Sequence, residues 1–384
     1  MSANGRADYS RAVPGLRVHV LDPPAYTPPY DHALCSALAR AGAEVTLVTT
    51  RFAHGEVPLA EGYRRIEAFY RRGDSGVLRR QRRLAQHVPG MVAYARGSAR
   101  AADVAHFQWL AVQPLDAFLL PRATPVVLTA HDVLPREGRP GQRAGQRRLY
   151  RRADAVIVHS EHGARRLEAE LGVDAGSISV IPHGPLRDLT ALPPDAALPP
   201  SLGDAGDGPV VLCFGLIRPY KGVDTLLEAW RRLSPPAGAR LWVVGMPRMD
   251  VSALRAASPA SVHWVPRFVS SEEAAAVFRR ADLVVLPYRE IDQSGVLFTA
   301  LAFGVPVLAT TVGGFPEVAA AGAARLVAPD DPDALAGALG VLLSRPEERE
   351  ALATAGRALV APDGAYGWDS IARRTLAVYE RLQR

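Results

Sequence analysis

Short runs of Val, Leu and Ile alternate with helical segments twice over, and this rhythm most limits what the chain can become. One series comprises Leu16 to Leu21, Glu44 to Thr49, Asp103 to Phe107, Pro125 to Ala130, Asp154 to His159 and Ile178 to Ile181. The other comprises Val210 to Phe214, Leu241 to Val244, Val262 to Val265, Asp282 to Pro287, Pro306 to Thr310 and Arg325 to Val327. Apolar runs without polar alternation, spaced by helices, predict parallel strands covered on both faces. The fold class is therefore α/β, with two doubly wound domains, and 384 residues suffice for two cores. The predicted boundaries are an N-terminal domain over 1–184, a linker over 185–209, a second domain over 210–362 and a terminal segment over 363–384. Pro185 to Pro209 holds six prolines and shows no strand or helix period, which reads as a linker. After the break at Pro362-Asp363-Gly364, the residues Trp368, Ile371, Ala372, Thr375, Leu376, Tyr379 and Leu382 form one apolar stripe that must cover something already folded. Arg151-Arg152-Ala153-Asp154 is echoed by Arg279-Arg280-Ala281-Asp282, as an internal repeat or as convergence on one helix-end pattern.

Composition excludes more than it selects. The two cysteines, Cys35 and Cys213, lie far apart in apolar surroundings, which argues for buried thiols in a reducing compartment. No apolar run is long enough to span a bilayer, and Met1 to Pro14 lacks the apolar core of a signal peptide, so a cytoplasmic protein is expected. The net charge of +6 suits anionic partners without choosing among them. Arg64 to Arg100 concentrates ten arginines against Glu67 and Asp74, with Leu78, Leu84, Val88, Met91 and Ala95 at roughly helical spacing, interrupted at Pro89-Gly90. Such a segment fits peripheral contact with an anionic membrane, or equally a solvated basic surface helix. No recognition motif or stacking pattern accompanies the charge, so nucleic acid is not expected as a partner.

Lys221 is the only lysine; the other 44 basic residues are arginine. An ammonium retained in so arginine-rich a chain suggests a position that a planar guanidinium cannot serve, with a solvated loop cation as the plain alternative. It sits between the run Val210 to Phe214 and a helix predicted from about Val223 to Leu233, where open parallel sheets bind ligands. A second loop opens a helix at Gly295. Its first amides, those of Gly295 and Val296, can receive an anion or hydroxyl groups.

Gly215, Arg218, Lys221 and Gly222, then Pro287-Tyr288, Gln293-Ser294-Gly295-Val296, Ala302-Phe303-Gly304-Val305-Pro306-Val307 and Val312-Gly313-Gly314-Phe315-Pro316-Glu317 occur in that order. Together they resemble family-4 retaining glycosyltransferases, across most of residues 16 to 384. The resemblance implies a GT-B architecture, two Rossmann-like domains facing across a cleft, with the terminal helix crossing back to the first. It implies a donor of the nucleotide diphosphate sugar type, UDP or GDP, and a hydroxyl acceptor on a glycan, glycolipid or natural product. Arg218 and Lys221 match the pair that grips the donor diphosphate, and His131, after a predicted strand, matches a histidine near the reacting sugar; a strand-end cap is the alternative. Gly215, Gln293, Ser294, Gly295, Val296, Thr299 and Glu317 fall to the donor side, although Glu317 could simply support its own helix. Tyr26 and Tyr30, in the Pro23 to His32 loop, with Gln108 and Trp109, are expected to wall the acceptor side together with His131.

Two places depart from the family pattern. The positions of its paired glutamates hold Ile291 and Thr299, flanked by Glu290 and Asp292, and the usual glycine pair after the first strand is missing. Asp331-Pro332-Asp333 imitates a metal-binding acidic pair but reads as a helix cap, and no Gly-x-Gly-x-x-Gly follows either leading strand, which disfavours a nicotinamide enzyme. The expectation is a metal-independent hexosyltransferase without a cofactor. A nucleotide-sugar epimerase, an inverting transferase or a catalytically silent nucleotide-sugar sensor on the same fold remains the alternative.

Overall fold

The computed structural model describes residues 15–52, 57–71, 79–134, 141–186, 188–203 and 206–384. Met1 to Pro14, together with Asp74 and Leu78 of the basic segment, lies outside them. The chain divides into two compact units, Met1–Pro182 with Trp368–Arg384, and His183–Gly367.

The first unit is built on β1 (Arg17–Asp22), β2 (Glu44–Thr49), β3 (Arg64–Glu67), β4 (Val104–Phe107), β5 (Val126–Ala130), β6 (Ala155–Val158) and β7 (Ile178–Val180). They form one parallel sheet in the order β3-β2-β1-β4-β5-β6-β7. Sequence reading misses β3, because Arg-Arg-Ile-Glu carries the charges of an edge strand rather than the apolar run of a central one. The helix Trp368–Arg381 packs on the helix Pro28–Arg40. It buries Trp368, Ile371, Ala372, Thr375, Leu376 and Tyr379, while Leu382 at its end is only partly covered.

The second unit holds β8 (Val210–Phe214), β9 (Arg240–Val244), β10 (Val262–Val265), β11 (Leu283–Leu286), β12 (Val307–Thr310) and β13 (Arg325–Val327), parallel throughout in the order β10-β9-β8-β11-β12-β13. Both sheet faces are covered. Along β9, Trp242 and Val244 join the core with Phe278, Phe298 and Tyr288, whereas Leu241 and Val243 join that with Leu226, Trp230 and Leu339. In each sheet the strand order reverses direction beside the leading strand, β1 or β8, and such a switch point opens a crevice at the strands' carboxyl ends.

Two expectations need correction. The stretch 185–209 is not free of structure: Asp188–Ala191 is a helical turn, Pro200–Leu202 a tighter one, and Leu202 is buried in the core of the second unit. The interruption expected at Pro89-Gly90 does not occur, and one helix spans Arg79–Arg96. Pro89 lies on its exposed side, where carbonyls left unbonded by the ring can reach water, and Gly90 lets Phe69 approach to within 3.1 Å of where a Cβ would stand. The buried face of this helix is His87, Met91 and Tyr94, leaving Leu84 51% exposed.

The repeated Arg-Arg-Ala-Asp phrase has the same geometry in both units. The Asp154 amide donates to Val126 O and its Oδ2 accepts from the Val126 amide, at 2.8 and 2.7 Å. Asp282 does the same to Val210, at 2.9 and 2.8 Å. Each aspartate thus closes the first rung between a helix end and a core strand. Cys35 and Cys213 are buried free thiols, and burial pushes the Cys213 thiol up to about 11.

Candidate active site

In the second unit the chain leaves β8 through Gly215, at φ 110°, and forms a 3₁₀ turn, Pro219–Lys221, ended by Gly222 at φ 65°. A Cβ on Gly222 would stand 1.9 Å from Pro287 O, so only glycine lets this turn lie against the end of β11. The guanidinium of Arg289 fastens the same turn, donating to Pro219 O at 2.7 Å while pairing with Asp224 at 2.7 Å and Asp330 at 2.6 Å. Lys221 is thereby buried. Its Nζ donates to Tyr288 Oη at 2.5 Å and lies 3.8 Å from the centre of that ring. Tyr288 is itself fixed, since its carbonyl accepts from Thr310 Oγ1 at 2.6 Å, and its hydroxyl reaches Ser294 Oγ at 3.5 Å. Ser294 precedes the helix Gly295–Ala302. The result is one ammonium and one helix start gathered beyond the carboxyl ends of β8 and β11.

The first unit presents a different surface. Asp22, ending β1, folds the following loop over itself, its Oδ2 accepting from the Tyr26 amide at 2.6 Å and the Thr27 amide at 3.3 Å. Burial and the neighbouring Asp22 carboxylate hold the Asp31 carboxyl well above its usual range. Tyr26, 59% exposed, leans on Trp109 at 4.5 Å, and Trp109 stacks on His131 at 4.6 Å with the rings 7° apart. Trp109 is pinned by donating from Nε1 to Thr27 Oγ1 at 2.9 Å. Tyr30 meets His131 edge-on at 4.9 Å. His131 and His159 follow paired ends of β5 and β6, where Ala130 faces Val158, and are joined by a 3.0 Å hydrogen bond. Gln108 bridges His131, at 3.1 Å, to His106, at 3.0 Å, and His106 also meets Thr129 at 2.7 Å and Tyr379 at 2.6 Å. Burial pushes His106 down to about 3 and His159 down to about 4, so both imidazoles are neutral at pH 7.

Residues 30–185 match the family model described as Glycosyltransferase Family 4, and residues 208–345 match the one described as Glycosyl transferases group 1. The chain belongs to the family-4 glycosyltransferases. A D-inositol 3-phosphate glycosyltransferase of Xylanimonas cellulosilytica is 28% identical over 408 residues, spanning 96% of this chain and 92% of that protein. A GDP-mannose-dependent monoacylated alpha-(1-6)-phosphatidylinositol monomannoside mannosyltransferase of Corynebacterium glutamicum is 29% identical over 64% of this chain and 67% of its own length. Among solved structures, Anabaena HepE in complex with UDP superposes with a TM-score of 0.66 at 17% identity, over 96% of this chain and 100% of that one. The fold is GT-B.

In this glycosyltransferase the donor-side expectations fall unevenly. Gly215, Lys221 and Val296 come together: a Cβ on Gly215 would stand 3.4 Å from Val296 Cγ2 and 3.9 Å from Lys221 Nζ. Arg218, half-buried, begins the turn that ends in Lys221. Gly295 lies beside His183, which stacks on Phe298 at 5.5 Å. Gln293 is buried, with its Oε1 accepting from the Ser294 amide at 3.0 Å, and the Thr299 hydroxyl is spent on Gly295 O at 2.9 Å. Glu317, half-buried in the first turn of the helix Phe315–Ala320, is drawn to the same loop because the Gly314 amide donates to Asp292 O at 3.1 Å. Ile291 joins the core and Asp292 is also buried, leaving Glu290 as the exposed carboxylate of that trio. Asp331 caps its helix, its Oδ1 accepting from the Ala334 amide at 2.9 Å.

Of the residues expected on the acceptor side, Tyr26, Tyr30, Trp109 and His131 do meet. Gln108 does not face open space: it is 1% exposed, behind His131, with its amide occupied. Sequence reading missed Tyr288, Arg289 and His159 as supports. His159 had a readable signal, since two neighbouring predicted strands each run into a histidine.

Proposed function

We propose that this chain transfers a sugar from a nucleoside diphosphate sugar to a hydroxyl acceptor, with the second unit holding the diphosphate through Arg218 and Lys221. The observation that carries the reading is the buried Lys221 ammonium, oriented by Tyr288 and Arg289's turn beside a helix start at a switch point. As the bond from the anomeric carbon to the leaving oxygen breaks, negative charge gathers on the diphosphate, and fixed cations there favour the transition state over the bound donor. Basic side chains supply that stabilisation in this reading, so transfer proceeds without a metal or cofactor, and with retention as the family resemblance implies. The donor is a hexose on UDP or GDP, consistent with the names of the GDP-mannose relative and the UDP complex.

We place the acceptor on the first unit, against the Tyr26–Trp109–His131 stack, in a cytoplasmic enzyme able to rest on an anionic membrane. Among the described residues no helix is long and apolar enough to cross a bilayer. Exposed Leu84, Leu115 and Phe118 accompany arginines on adjoining helices, including Arg148 over the Phe118 ring at 4.9 Å. Donor hydrolysis without acceptor is the direct test. Slow release of sugar from UDP- or GDP-hexose, insensitive to a chelator and lost in Lys221→Ala, supports the reading. Donor binding with no turnover under any acceptor supports the sensor instead, which the burial of Ile291 and Thr299 in place of two carboxylates favours. Sedimentation with anionic but not neutral vesicles tests the membrane contact.

A further inference from the structure

His159 Nδ1 lies 3.0 Å from Ile181 O, and a carbonyl can only accept, so His159 carries its hydrogen on Nδ1. Being neutral at pH 7, it has a lone pair on Nε2, which points at His131 Nδ1 across 3.0 Å. That contact is a hydrogen bond only if His131 donates. The proton on His131 Nδ1 is therefore fixed from behind, through one imidazole, by a backbone carbonyl at the end of β7.

Nε2 of His131 is the corner whose hydrogen remains variable, and Gln108 faces it at 3.1 Å. Two arrangements of this network are self-consistent. With Gln108 Oε1 toward His131 and Nε2 toward His106, His131 carries both hydrogens and is an imidazolium, while His106 donates from Nδ1 to Tyr379. With the amide turned over, Gln108 donates to a neutral His131, and His106 holds its hydrogen on Nε2 while accepting from Tyr379. Among the described residues, the groups around His131 include Tyr30 from the helix Pro28–Arg40, Gln108 and Trp109 after β4, His159 after β6, and its chain neighbour Asp132. The Trp109 ring, parallel to the imidazole at 4.6 Å, tolerates either charge state.

We infer that His159 is a positioning residue for His131: it fixes the hydrogen on Nδ1, so that Nε2, which faces the Gln108 amide, is the nitrogen at which the ring gains or loses a proton. This rests on the reading of His131 as part of the transfer site. It goes beyond that reading in assigning the tautomer and the residue that sets it.

The experiment is nitrogen-15 NMR of the full chain labelled at histidine, with His131 and His159 assigned by the signals lost in His131→Gln and His159→Gln. At pH 8 both residues are expected in the Nδ1–H form, the reverse of the form an unconstrained imidazole prefers. His159→Gln, whose Oε1 can sit where Nε2 was, should leave His131 as Nδ1–H. His159→Phe should release it to Nε2–H. In activity assays His159→Phe should lower kcat by about 5- to 10-fold, the size of one hydrogen bond, change the pH profile of kcat and spare the donor KM, with His159→Gln recovering most of the loss. An Nε2–H form of His131 in the parent chain overturns the proposal, as does a tautomer unchanged in His159→Phe. A correct tautomer in a chain that turns over no donor would instead overturn the transfer reading and leave this one standing.

Discussion

At the carboxyl end of β8 the backbone dictates the site: Gly215 and Gly222 stand at positive φ, and a single ammonium is drawn into the space they leave. At the carboxyl ends of β4, β5 and β6 side chains dictate it: a tryptophan, two tyrosines, an amide and three imidazoles, of which burial holds His106 and His159 neutral. Fixed charge costs desolvation and is worth holding only where opposite charge develops, which is at a leaving diphosphate. A hydroxyl acceptor needs hydrogen-bond partners and an apolar wall, and neutral rings supply both. On the function proposed above, the two units differ as the two halves of a transfer reaction differ.

That contrast can be broken most severely at Gly222. Gly222→Ala places a methyl 1.9 Å from Pro287 O at a left-handed φ, and should cost about 3 kcal/mol or more of stability. Gly42→Ala, also at positive φ but with nothing within 4 Å, should cost only about 1–2 kcal/mol. Denaturant midpoints of the two variants decide whether the clash or the φ angle dominates. Equal losses would show that the turn can move away from β11. Next in size is Lys221→Arg, expected to lose about 10²-fold in donor turnover per folded molecule and to lower the melting temperature as well, because the larger head is forced into a buried place. The ammonium fits between the Tyr288 hydroxyl and ring, and a planar fork does not. Near-parental turnover would make the lone lysine an accident of codon drift.

A milder test separates the units by acid. His106 and His159 hold folded values near 3 and 4 against about 6.5 when unfolded. Between those values the unfolded chain binds protons that the fold refuses, so their contribution is complete above pH 6.5 and is lost as pH falls toward 4 and then 3. For His159 alone this amounts to about 3 kcal/mol. Asp31 acts in the opposite sense, since its raised carboxyl loses stability as pH rises through its folded value. Stability measured from pH 7 to pH 4 should therefore fall less steeply in His159→Gln than in the parent.

The fold was legible because core strands announce themselves: all twelve expected runs are strands, with ends shifted by a residue or so. β3 was not, since a charged edge strand four residues long has no apolar signature. In the second unit, the turn built on glycine and lysine was legible because few residues can occupy those positions. Gln108 shows the limit on the other side. Its place after a strand was readable, but whether its amide faced solvent or His106 depended on packing from β5 and from the helix Trp368–Arg381, more than 200 residues away in the case of Tyr379. The supporting layer of Tyr288, Arg289 and His159 was obscure for the same reason. Nothing in local sequence says which ring a lysine will lie on or which carbonyl will fix a tautomer.

The smallest expected effect sharpens the comparison by testing where the units are alike. Asp154 and Asp282 make the same two bonds, to Val126 and Val210, at distances within 0.1 Å of each other. The surroundings differ, since Arg280 pairs with Asp282 at 2.9 Å and donates to Gly208 O at 2.6 Å, whereas Arg152 donates to Pro121 O at 2.9 Å. Both ion-pair and rung lie at the partly exposed foot of the sheet, where a salt bridge adds at most about 1 kcal/mol and a hydrogen bond to a carboxylate about 1.5–3. Asp154→Ala and Asp282→Ala should therefore each lower stability by about 1–2 kcal/mol, Asp282→Ala by slightly more, and Asp→Asn at either place should lose less, because an amide oxygen still accepts from the valine. Neither change touches a carboxyl end of a strand, so donor turnover per folded molecule should stay at the parental value. If one aspartate proves indispensable and the other dispensable, the shared phrase is a coincidence of helix ends and not one structural device used twice.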